Sequence, residues 1–560
     1  MSSVILKPYQ VEHFNKIIEI LQRSYFYIDA SEPGTGKTHV TCAVAAYYNI
    51  PVVVVCPASA QGTWLSAINT YKTPARDIPG RGYTISYESL AGTISNPPSH
   101  GLLMREDREK TITFYPTRLL QQYVNGPTLF IFDEFQKIKN ITAAYKAVKA
   151  IAHYINSSPT SSRIAFLSGT PIDKKEQVIN FLRLVGYINA YNLYTKSGTV
   201  ITYTGLAELH VNAAKLDSEA TRNFVENVTP PKTSKEAVDH AYEVFMSIIK
   251  PKVLSTMIRI ISVNEQGNPM YSLNIMNGYY IMHPDDEVKY QKAVQNMAVS
   301  ARYNPETQNI EEGGANLGGL VKALIDAQVS KIQIVIRLIM TDLTTPYMFN
   351  GQQCWNKVIF FSEFNEEVLK VIAEALKHYG VSSVLLVTGE IRPAKRNEMF
   401  AKFNQDDDTH RVLLANLLVG GMSVNLQDKT GKRRRRMYLM PGYRANDLHQ
   451  ASRRTFREGS IGESYVRFVY GLTKTSGVIE TGLLSAMARK GKVMSDVVSG
   501  EEGSKIIFSD QYKAEYEVDP NQLLGMDITP SLASSSQPLP ERVIEELPED
   551  LEFDKLVIED

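Results

Sequence analysis

Cysteine is scarce in this chain of 560 residues, which contains three: Cys42, Cys56 and Cys354. They lie far apart, so they form neither a disulfide framework nor the closely spaced ligand set of a structural zinc site. This cysteine usage is typical of a protein from a reducing, intracellular compartment.

Long apolar runs and net charge are also missing. The chain contains no run of 18 apolar residues, and its first residues, MSSVILKPYQ, lack the apolar segment of a secretory signal. We therefore expect neither a membrane span nor export. Lys+Arg and Asp+Glu are both 60, which excludes a uniformly basic nucleic-acid coat but leaves room for local basic patches. The length predicts two to four domains.

The most informative stretch runs from Tyr25 to Thr38 and reads YFYIDASEPGTGKT. An apolar strand, a turn with two glycines, then Lys-Thr at the start of an apolar helix is the pattern of a phosphate-binding loop. Glycine lets backbone N–H groups approach phosphate oxygens, and the helix N-terminus favours negative charge. Lys37 could then bridge the β- and γ-phosphates, and the Thr38 hydroxyl could bind Mg²⁺. The alternative is a Gly- and Lys-rich surface turn. Ser31 stands where the pattern usually has Gly or Ala.

An acidic pair follows a second apolar strand, in the segment TLFIFDEFQ that starts at Thr128. Asp133 at the strand tip could hold Mg²⁺, and Glu134 could position the attacking water or accept its proton. Further strands at 51–56, 83–87 and 163–167 complete a doubly wound α/β domain of five strands over residues 1–195. Gln10, upstream of the loop, is a candidate for contact with the nucleotide base.

The ordered motifs of this domain resemble those of a superfamily 2 helicase. They read Gly-Thr-Gly-Lys-Thr, Cys-Pro-Ala with a downstream Trp, Ser-Tyr-Glu, Asp-Glu-Phe-Gln-Lys-Ile-Lys-Asn and Leu-Ser-Gly-Thr-Pro-Ile. The last two are most similar to the Swi/Snf-type branch of double-stranded-DNA translocases, although that branch usually has His where Gln136 stands. The resemblance implies two RecA-like parallel-sheet lobes with an ATP cleft between them, and a DNA-dependent ATPase that uses ATP and Mg²⁺.

A second α/β pattern starts at residue 357 and matches the second lobe of the same family. Its helix-period segment HQASRRTFR places Gln450, Arg454 and Arg457 on one helical face. A solvated basic helix is the usual interpretation of such a run. The resemblance instead implies that Arg454 and Arg457 act as arginine fingers on the γ-phosphate, and that Gly420 and Gln450 lie close to the nucleotide.

The resemblance also assigns candidate residues to the remaining roles. Nucleotide contacts are predicted at Gln10, Pro33, Gly34, Thr35, Gly36, Lys37 and Thr38, and Mg²⁺ contacts at Thr38 and Asp133. Nucleic-acid contacts are predicted at Ser59, Trp64, Tyr87, Ser362, Thr388, Gly389 and Asn416.

The run Lys432-Arg-Arg-Arg-Arg436 adds a basic patch before a predicted strand. We interpret Lys432, Arg433 and Arg434 as contacts to nucleic-acid phosphates, because adjacent cations are rarely structural. A nuclear-localisation signal or a solvated loop are the alternatives.

The sequence therefore predicts an α/β protein with lobes at 1–195 and 351–495. A mostly helical insertion is expected at 196–350, and a C-terminal extension with a disordered acidic tail at 496–560. The predicted function is an ATP-driven translocase on double-stranded DNA, with RNA as a possible substrate. Two alternatives remain open: a strand-separating helicase on RNA or forked DNA, and a non-catalytic scaffold that uses ATP as a conformational ligand.

The biological setting is predicted in outline. The short length and sparse accessory domains resemble helicases of large DNA viruses, which points to transcription or packaging proteins as partners. The expected location is the nucleus, a viral factory or the virion. No structural metal is expected.

Overall fold

The structure is a computed structural model. It describes residues 6–108, 111–197, 200–257, 271–301, 303–304, 309–310, 317–420, 424–456, 460–473, 477–478, 480 and 515–516. The chain divides into two compact units, the first drawn mainly from residues 1–260 and the second mainly from residues 261–492. Arg457 and the predicted acidic tail lie outside the described residues.

The first unit contains ten strands among its described residues. They are β1 Phe26–Asp29, β2 Val52–Val55, β3 Thr84–Ile85, β4 Leu103–Arg108, β5 Thr111–Pro116, β6 Leu129–Asp133, β7 Arg163–Leu167, β8 Thr195–Ser197, β9 Val200–Thr202 and β10 Leu254–Ser255. Six form one parallel sheet in the order β10-β1-β7-β6-β2-β3, while β4–β5 and β8–β9 are antiparallel hairpins. The five predicted strands of this lobe are confirmed, and β10 is added beside β1.

The helices of the first unit alternate with these strands. They are α1 Pro8–Arg23, α2 Lys37–Tyr47, α3 Gln61–Tyr71, α4 Tyr87–Ala91, α5 Arg118–Asn125, α6 Ala143–Ser157, α7 Lys175–Leu184, α8 Thr204–Leu216, α9 Ser218–Asn227, α10 Ser234–Val244 and α11 Lys250–Val253. Short 3₁₀ turns cover Ala58–Ala60 and Phe135–Ile138, and a π-helical turn covers Phe245–Ile249.

Both faces of the first sheet are buried. In β2, Val53 and Val55 pack into one apolar cluster while Val52 and Val54 pack into another. The strand is therefore continuously apolar rather than alternating, as expected for a parallel strand covered on both sides.

The second unit is a second α/β body. Its described helices are α12 Pro284–Ala301, α13 Leu317–Val329, α14 Ile332–Thr344, α15 Val371–His378, α16 Pro393–Asn404, α17 Leu417–Gly420 and α18 Ala445–Ser452, with a π-helical turn at Asn365–Lys370. Its strands are β11 Tyr271–Ile281, β12 Tyr303–Asn304, β13 Asn309–Ile310, β14 Pro346–Phe349, β15 Gln352–Trp355, β16 Lys357–Ser362, β17 Val384–Val387, β18 Val412–Asn416, β19 Arg435–Leu439, β20 Gly462–Thr473, β21 Gly477–Val478 and β22 Glu515–Tyr516.

The main sheet of this unit has the order β17-β18-β16-β19-β20-β11-β22, with β21 paired antiparallel to β20. The second α/β pattern predicted from residue 357 is confirmed by the parallel strands β16 to β20. The strand β11 is a correction, because residues 271–281 fall in the segment predicted to be mostly helical. It pairs in parallel with β20 over eleven residues. Its sequence, YSLNIMNGYYI, alternates poorly because both of its faces are partly covered.

The segment predicted as an insertion at 196–350 is divided between the units. The helices α8 to α11 lie in the first unit, and β11 and α12 to α14 lie in the second. The first unit extends to about residue 260 because β10 joins its sheet. Among the described residues, no helix is both long and apolar enough to cross a membrane.

Candidate nucleotide-binding site

The loop between β1 and α2 has the backbone that a phosphate cradle requires. Gly34 and Gly36 adopt φ angles of +82° and +102°, which L side chains rarely adopt. A Cβ at Gly36 would also stand 2.2 Å from Nε2 of Gln10, so a side chain there would require the Gln10 amide to move. The helix α2 begins directly after Gly36, at Lys37.

Lys37 lies across this loop. Its Nζ donates to the carbonyl oxygens of Ser31 at 2.8 Å and Glu32 at 3.3 Å. Thr38 follows in the first turn of α2 and is half-buried. The buried Thr35 side chain donates its hydroxyl to the Glu32 carbonyl at 2.8 Å. The loop is thus closed on itself through contacts that a bound phosphate could replace.

Gln10 contacts the loop rather than presenting a free amide. Its Nε2 donates to the Thr35 carbonyl at 2.9 Å, and its Oε1 accepts the Lys7 backbone N–H at 3.0 Å. Tyr9 adds a second donor to the same Thr35 carbonyl, at 3.2 Å. Sequence reasoning predicted a contact between Gln10 and the nucleotide base. The structure instead commits both ends of its amide to the chain, because α1 packs directly against the loop.

A buried polar network that the sequence did not reveal supports the same loop. The carboxylate of Asp29, at the end of β1, bonds Nε2 of His13 at 3.0 Å, and Nδ1 of His13 bonds the Ser255 hydroxyl at 2.8 Å. Burial alone would raise the pKa of Asp29, but His13, Lys37 and Ser31 together lower it. The network ties α1, β1 and β10 together beneath the phosphate loop.

Ser31, the departure from the usual pattern, belongs to this network. Its hydroxyl donates to Oδ1 of Asp29 and accepts the Met257 backbone N–H at 2.7 Å. A Gly or Ala at this position would leave that buried N–H without its acceptor.

The acidic pair lies two strands away from the loop. Asp133 ends β6 and is in register with Leu167 of β7, which is in register with Asp29 of β1. The two carboxylates therefore flank one strand at the same edge of the sheet. Lys37 is close enough to lower the pKa of both.

Asp133 is held at three points. Nε1 of Trp64 donates to its Oδ2 at 2.8 Å, the backbone N–H of Glu134 donates to its Oδ1 at 3.0 Å, and the Tyr87 hydroxyl donates to its backbone carbonyl at 2.8 Å. Burial, and next the neighbouring Glu134, raise the pKa of Asp133 to about 7, against the opposing effects of Trp64 and Lys37. A cation bound here would relieve the repulsion between the adjacent carboxylates.

Trp64 and Tyr87 are corrected by these contacts. Both were predicted to contact nucleic acid, but they are 1% and 2% exposed and donate to Asp133. Ser59, by contrast, is exposed.

Glu134 is held in an uncommon backbone conformation. Its φ is +53°, a left-handed value that is infrequent outside glycine and asparagine. Its Oε2 accepts a hydrogen bond from Nε2 of Gln136 at 2.7 Å. The sequence marked Gln136 only as a departure from the family pattern, and the structure makes it a direct partner of the carboxylate.

The residues of this site fit a nucleotide with Mg²⁺. A hydroxyl at Thr38 and a carboxylate at Asp133 are the hard oxygen ligands that Mg²⁺ prefers, and the glycine backbone leaves room for phosphate. Pro33 lies in the loop and is half-buried.

Three residues of the second unit that were predicted to face nucleic acid are buried. Ser362 donates to Oε1 of Gln328 at 2.8 Å, and Asn416 donates to the Glu363 carbonyl at 3.0 Å. Thr388 is 3% exposed. Ser362 and Asn416 therefore form hydrogen bonds within the chain at the carboxyl ends of their strands, whereas Gly389 is exposed and Gly420 ends α17.

The basic run is also corrected, because most of it is paired within the chain. Arg433 pairs with Asp406 at 3.1 Å, and the Arg434 guanidinium lies 4.2 Å from the centre of the Tyr347 ring. The run also contains Arg435, which is 2% exposed, whereas Lys432 is exposed. Guanidinium groups donate in several directions, so adjacent arginines can be satisfied by acidic, aromatic and carbonyl partners.

The predicted helical face is shorter than expected. The helix α18 ends at Ser452, so Gln450 is helical and Arg454 follows in a turn, where its N–H donates to the Ala451 carbonyl at 3.0 Å. Both side chains are buried, at 2% and 3% exposure. Because the helix ends between Gln450 and Arg454, the two residues do not share one helical face through i, i+4 spacing.

Comparison with known proteins supplies relatives for this arrangement. No protein-family model matches the chain. A protein of Acanthamoeba polyphaga mimivirus, named as an ATP-dependent RNA helicase, is 21% identical over 469 residues, or 82% of this chain and 78% of the relative. Over most of its length the chain is therefore similar to a protein named as a helicase.

Two further matches cover shorter parts of the chain. A protein of Orgyia pseudotsugata multicapsid polyhedrosis virus, named as a global transactivator, is 32% identical over 24% of this chain and 25% of its own length. A Caenorhabditis elegans homologue of a SWI/SNF-related chromatin regulator is 38% identical over 12% of this chain and 9% of its own length.

Solved structures resemble the chain at a lower level. The Sulfolobus solfataricus SWI2/SNF2 ATPase core in complex with double-stranded DNA is 16% identical, with a TM-score of 0.30, and the match covers 89% of this chain and 97% of that one.

Proposed function

We propose that the chain is an ATP-driven translocase that moves along double-stranded DNA. The observation that carries the proposal is the shared register of Asp29, Leu167 and Asp133. It brings the phosphate loop and the acidic pair to one edge of a parallel sheet. That edge is where open α/β sheets bind ligands. The second parallel sheet and the family relationship extend the proposal from ATP hydrolysis to movement on nucleic acid.

The residues of the first unit take defined roles in this proposal. Lys37 binds the β- and γ-phosphates, which requires its Nζ to leave the Ser31 and Glu32 carbonyls. Thr38 and Asp133 hold Mg²⁺, which neutralises charge on the phosphate oxygens when bound. Glu134 orients the attacking water and accepts its proton.

The second unit supplies the remaining groups of the proposed mechanism. Gln450 and Gly420 approach the nucleotide, and Arg454 and Arg457 stabilise the charge that develops on the γ-phosphate. Such arginines contribute about 10³- to 10⁵-fold to the rate in related phosphoryl transfers. Hydrolysis then depends on the binding state of both units, which allows it to drive stepping along DNA.

ATPase assays on matched variants test the proposal. Steady-state turnover is measured without nucleic acid and with duplex DNA, single-stranded DNA or RNA. Duplex DNA should stimulate the wild type most, and Lys37→Ala should abolish stimulated turnover. Lys16→Ala, which removes a half-exposed surface lysine of α1, is the control and should behave as wild type. Stimulated turnover in Lys37→Ala equal to that of wild type would exclude the assigned site.

Strand separation on RNA is the second candidate function, favoured by the name of the mimivirus relative. A triplex-displacement assay reports translocation on duplex DNA, and a forked RNA substrate reports strand separation. Displacement of the triplex strand without unwinding of the fork supports the translocase. The reverse result supports the helicase. Zero turnover with intact nucleotide binding would indicate a non-catalytic scaffold.

The biological setting follows from the viral relatives. Two of the similar proteins come from viruses, and one of them is named as a transactivator. A role in viral transcription or genome handling, in the nucleus or a viral factory, is consistent with both names. Transcription or packaging proteins are the corresponding partners.

A further inference from the structure

Asp133 accepts hydrogen bonds from two aromatic side chains that belong to different helices. Trp64 lies in the first turn of α3 and donates to the carboxylate, and Tyr87 is the first residue of α4 and donates to the backbone carbonyl. Both donor–acceptor distances are 2.8 Å. One contact fixes the orientation of the side chain, and the other fixes the strand end that carries it.

The hydrogen bonds of the two rings converge on one residue. Both rings are almost fully buried, so each donor must find an acceptor, and both acceptors belong to the same residue. Trp64 donates to Oδ2 and the Glu134 N–H donates to Oδ1, so the two hydrogen bonds fix the orientation of the carboxylate plane. Fixing a metal ligand through a second layer of hydrogen bonds typically changes metal affinity by about 10- to 100-fold.

The same two helices border an open polar groove of about 490 Å³. Gln61, three residues before Trp64, lines it from α3, and Ser86, which caps α4 by accepting the Ser89 N–H, lines it directly before Tyr87. Arg81 supplies a cation and Asp77 a carboxylate to the same groove. A ligand that shifts the start of either helix would therefore shift a donor of Asp133.

We propose that Trp64 and Tyr87 are positioning residues for Asp133, and that they transmit occupancy of this groove by a nucleic-acid backbone to the affinity for Mg²⁺. The groove offers hydroxyl, amide and guanidinium donors, which suit phosphate oxygens. The transmission to Mg²⁺ rests on the proposed function, whereas the positioning of Asp133 does not.

A metal-binding measurement tests the positioning role without turnover. The full chain is saturated with a non-hydrolysable ATP analogue and titrated with Mn²⁺, which is followed by water-proton relaxation. Tyr87→Phe keeps the ring and removes one hydroxyl, and it should weaken Mn²⁺ binding about threefold to tenfold. Trp64→Phe should weaken it about tenfold or more.

The matched control is Tyr145→Phe. Tyr145 is buried in the same unit and donates its hydroxyl to the Asn180 carbonyl, also at 2.8 Å. This variant loses the same kind of hydrogen bond and should bind Mn²⁺ as wild type does. Equal Mn²⁺ affinity in Tyr87→Phe and wild type, or equal weakening in Tyr145→Phe, would overturn the positioning role.

A second titration tests the transmission. The Mg²⁺ concentration for half-maximal ATPase is measured with and without duplex DNA. DNA should lower it at least threefold in wild type and less than that in Tyr87→Phe. If DNA lowers it equally in both, transmission through Tyr87 is excluded. If DNA affects turnover of neither, the proposed function fails while the Mn²⁺ result still decides the positioning role.

Discussion

Nε2 of Gln136 donates a hydrogen bond to Oε2 of Glu134 at 2.7 Å, within the acidic segment that follows β6. Gln136 is buried, and its uncharged amide does not ionise, so the amide remains a hydrogen-bond donor whatever the pH. Gln136 is thus a buried side-chain donor to the proposed base. The residue by which this chain departs from the family pattern therefore contacts the proposed base directly.

Replacing Gln136 with leucine should lower stimulated kcat about 10- to 100-fold, because a hydrogen bond to a charged group is lost at the proposed base. The KM for ATP should change little, since Gln136 donates to Glu134 and lies outside the phosphate loop. Steady-state kinetics with duplex DNA measures both constants.

The control for this variant is Gln177→Leu, which removes a buried amide that accepts the Asp173 N–H at 3.0 Å. If Gln136→Leu and Gln177→Leu are equally stable, a lower kcat in Gln136→Leu alone is due to the lost contact with Glu134 and not to a loss of stability. A kcat for Gln136→Leu within twofold of wild type would contradict the assigned contact.

Replacing Ser31 with alanine should destabilise the first unit without preventing ATP binding. The variant leaves the buried Met257 N–H without an acceptor, which costs about 1–3 kcal/mol of the free energy of unfolding. Urea denaturation measures the loss, and the KM for ATP should stay within about twofold of wild type. Ser66→Ala, at an exposed position of α3, should leave the stability unchanged. Unchanged stability in Ser31→Ala would show that the network does not support the loop.

Substitutions of Arg435 and Lys432 should have different effects on stability, because Arg435 is buried and Lys432 is exposed. The buried Arg435 guanidinium donates to the carbonyls of Leu426 at 2.8 Å and Gln427 at 3.2 Å. Arg435→Met should therefore lower the free energy of unfolding by roughly 2–4 kcal/mol, because buried carbonyls lose their donors.

Lys432→Ala is the matched change at the exposed end of the run, and its stability should stay within about 0.5 kcal/mol of wild type. Calorimetry measures both variants, and DNA affinity is measured at several salt concentrations. If Lys432 touches phosphate, the salt dependence should fall by about one unit of slope. If Arg435→Met is as stable as wild type, the structural role of Arg435 is wrong, and the interpretation of the basic run as a surface patch is supported.

Acid should destabilise the first unit through a histidine pair. Nε2 of His210 lies 2.9 Å from Nε2 of His240, and burial, with His240, lowers the pKa of His210 from 6.5 to about 4. Between these pH values the unfolded state binds a proton that the folded state does not. Stability should therefore fall as the pH drops from about 6.5 to about 4.

Thermal unfolding at a series of pH values measures this effect. His210→Gln should lose less stability than wild type as the pH drops. His378→Gln, at an exposed position of α15, should show the same dependence of stability on pH as wild type. Identical slopes in wild type and His210→Gln would rule out the pair as the source.

The sequence by itself determined the two parallel sheets and the phosphate loop. Their signals are local: continuous apolar strands buried on both faces, and glycines at positions whose φ angles are positive, as at Gly34 and Gly36. It also placed Asp133 and Glu134 at a strand end, because the end of an apolar run is visible in one dimension.

The tertiary structure decided what the polar side chains around those elements do. Trp64 and Tyr87 looked available to nucleic acid, yet Asp133 takes their donors, over separations of 69 and 46 residues. The arginine run looked like a surface patch, yet acidic and aromatic residues distant in sequence pair with it. A polar residue's role depends on which partner reaches it in space, and hydrogen-bond partners brought together by a sheet leave no periodic trace in the sequence.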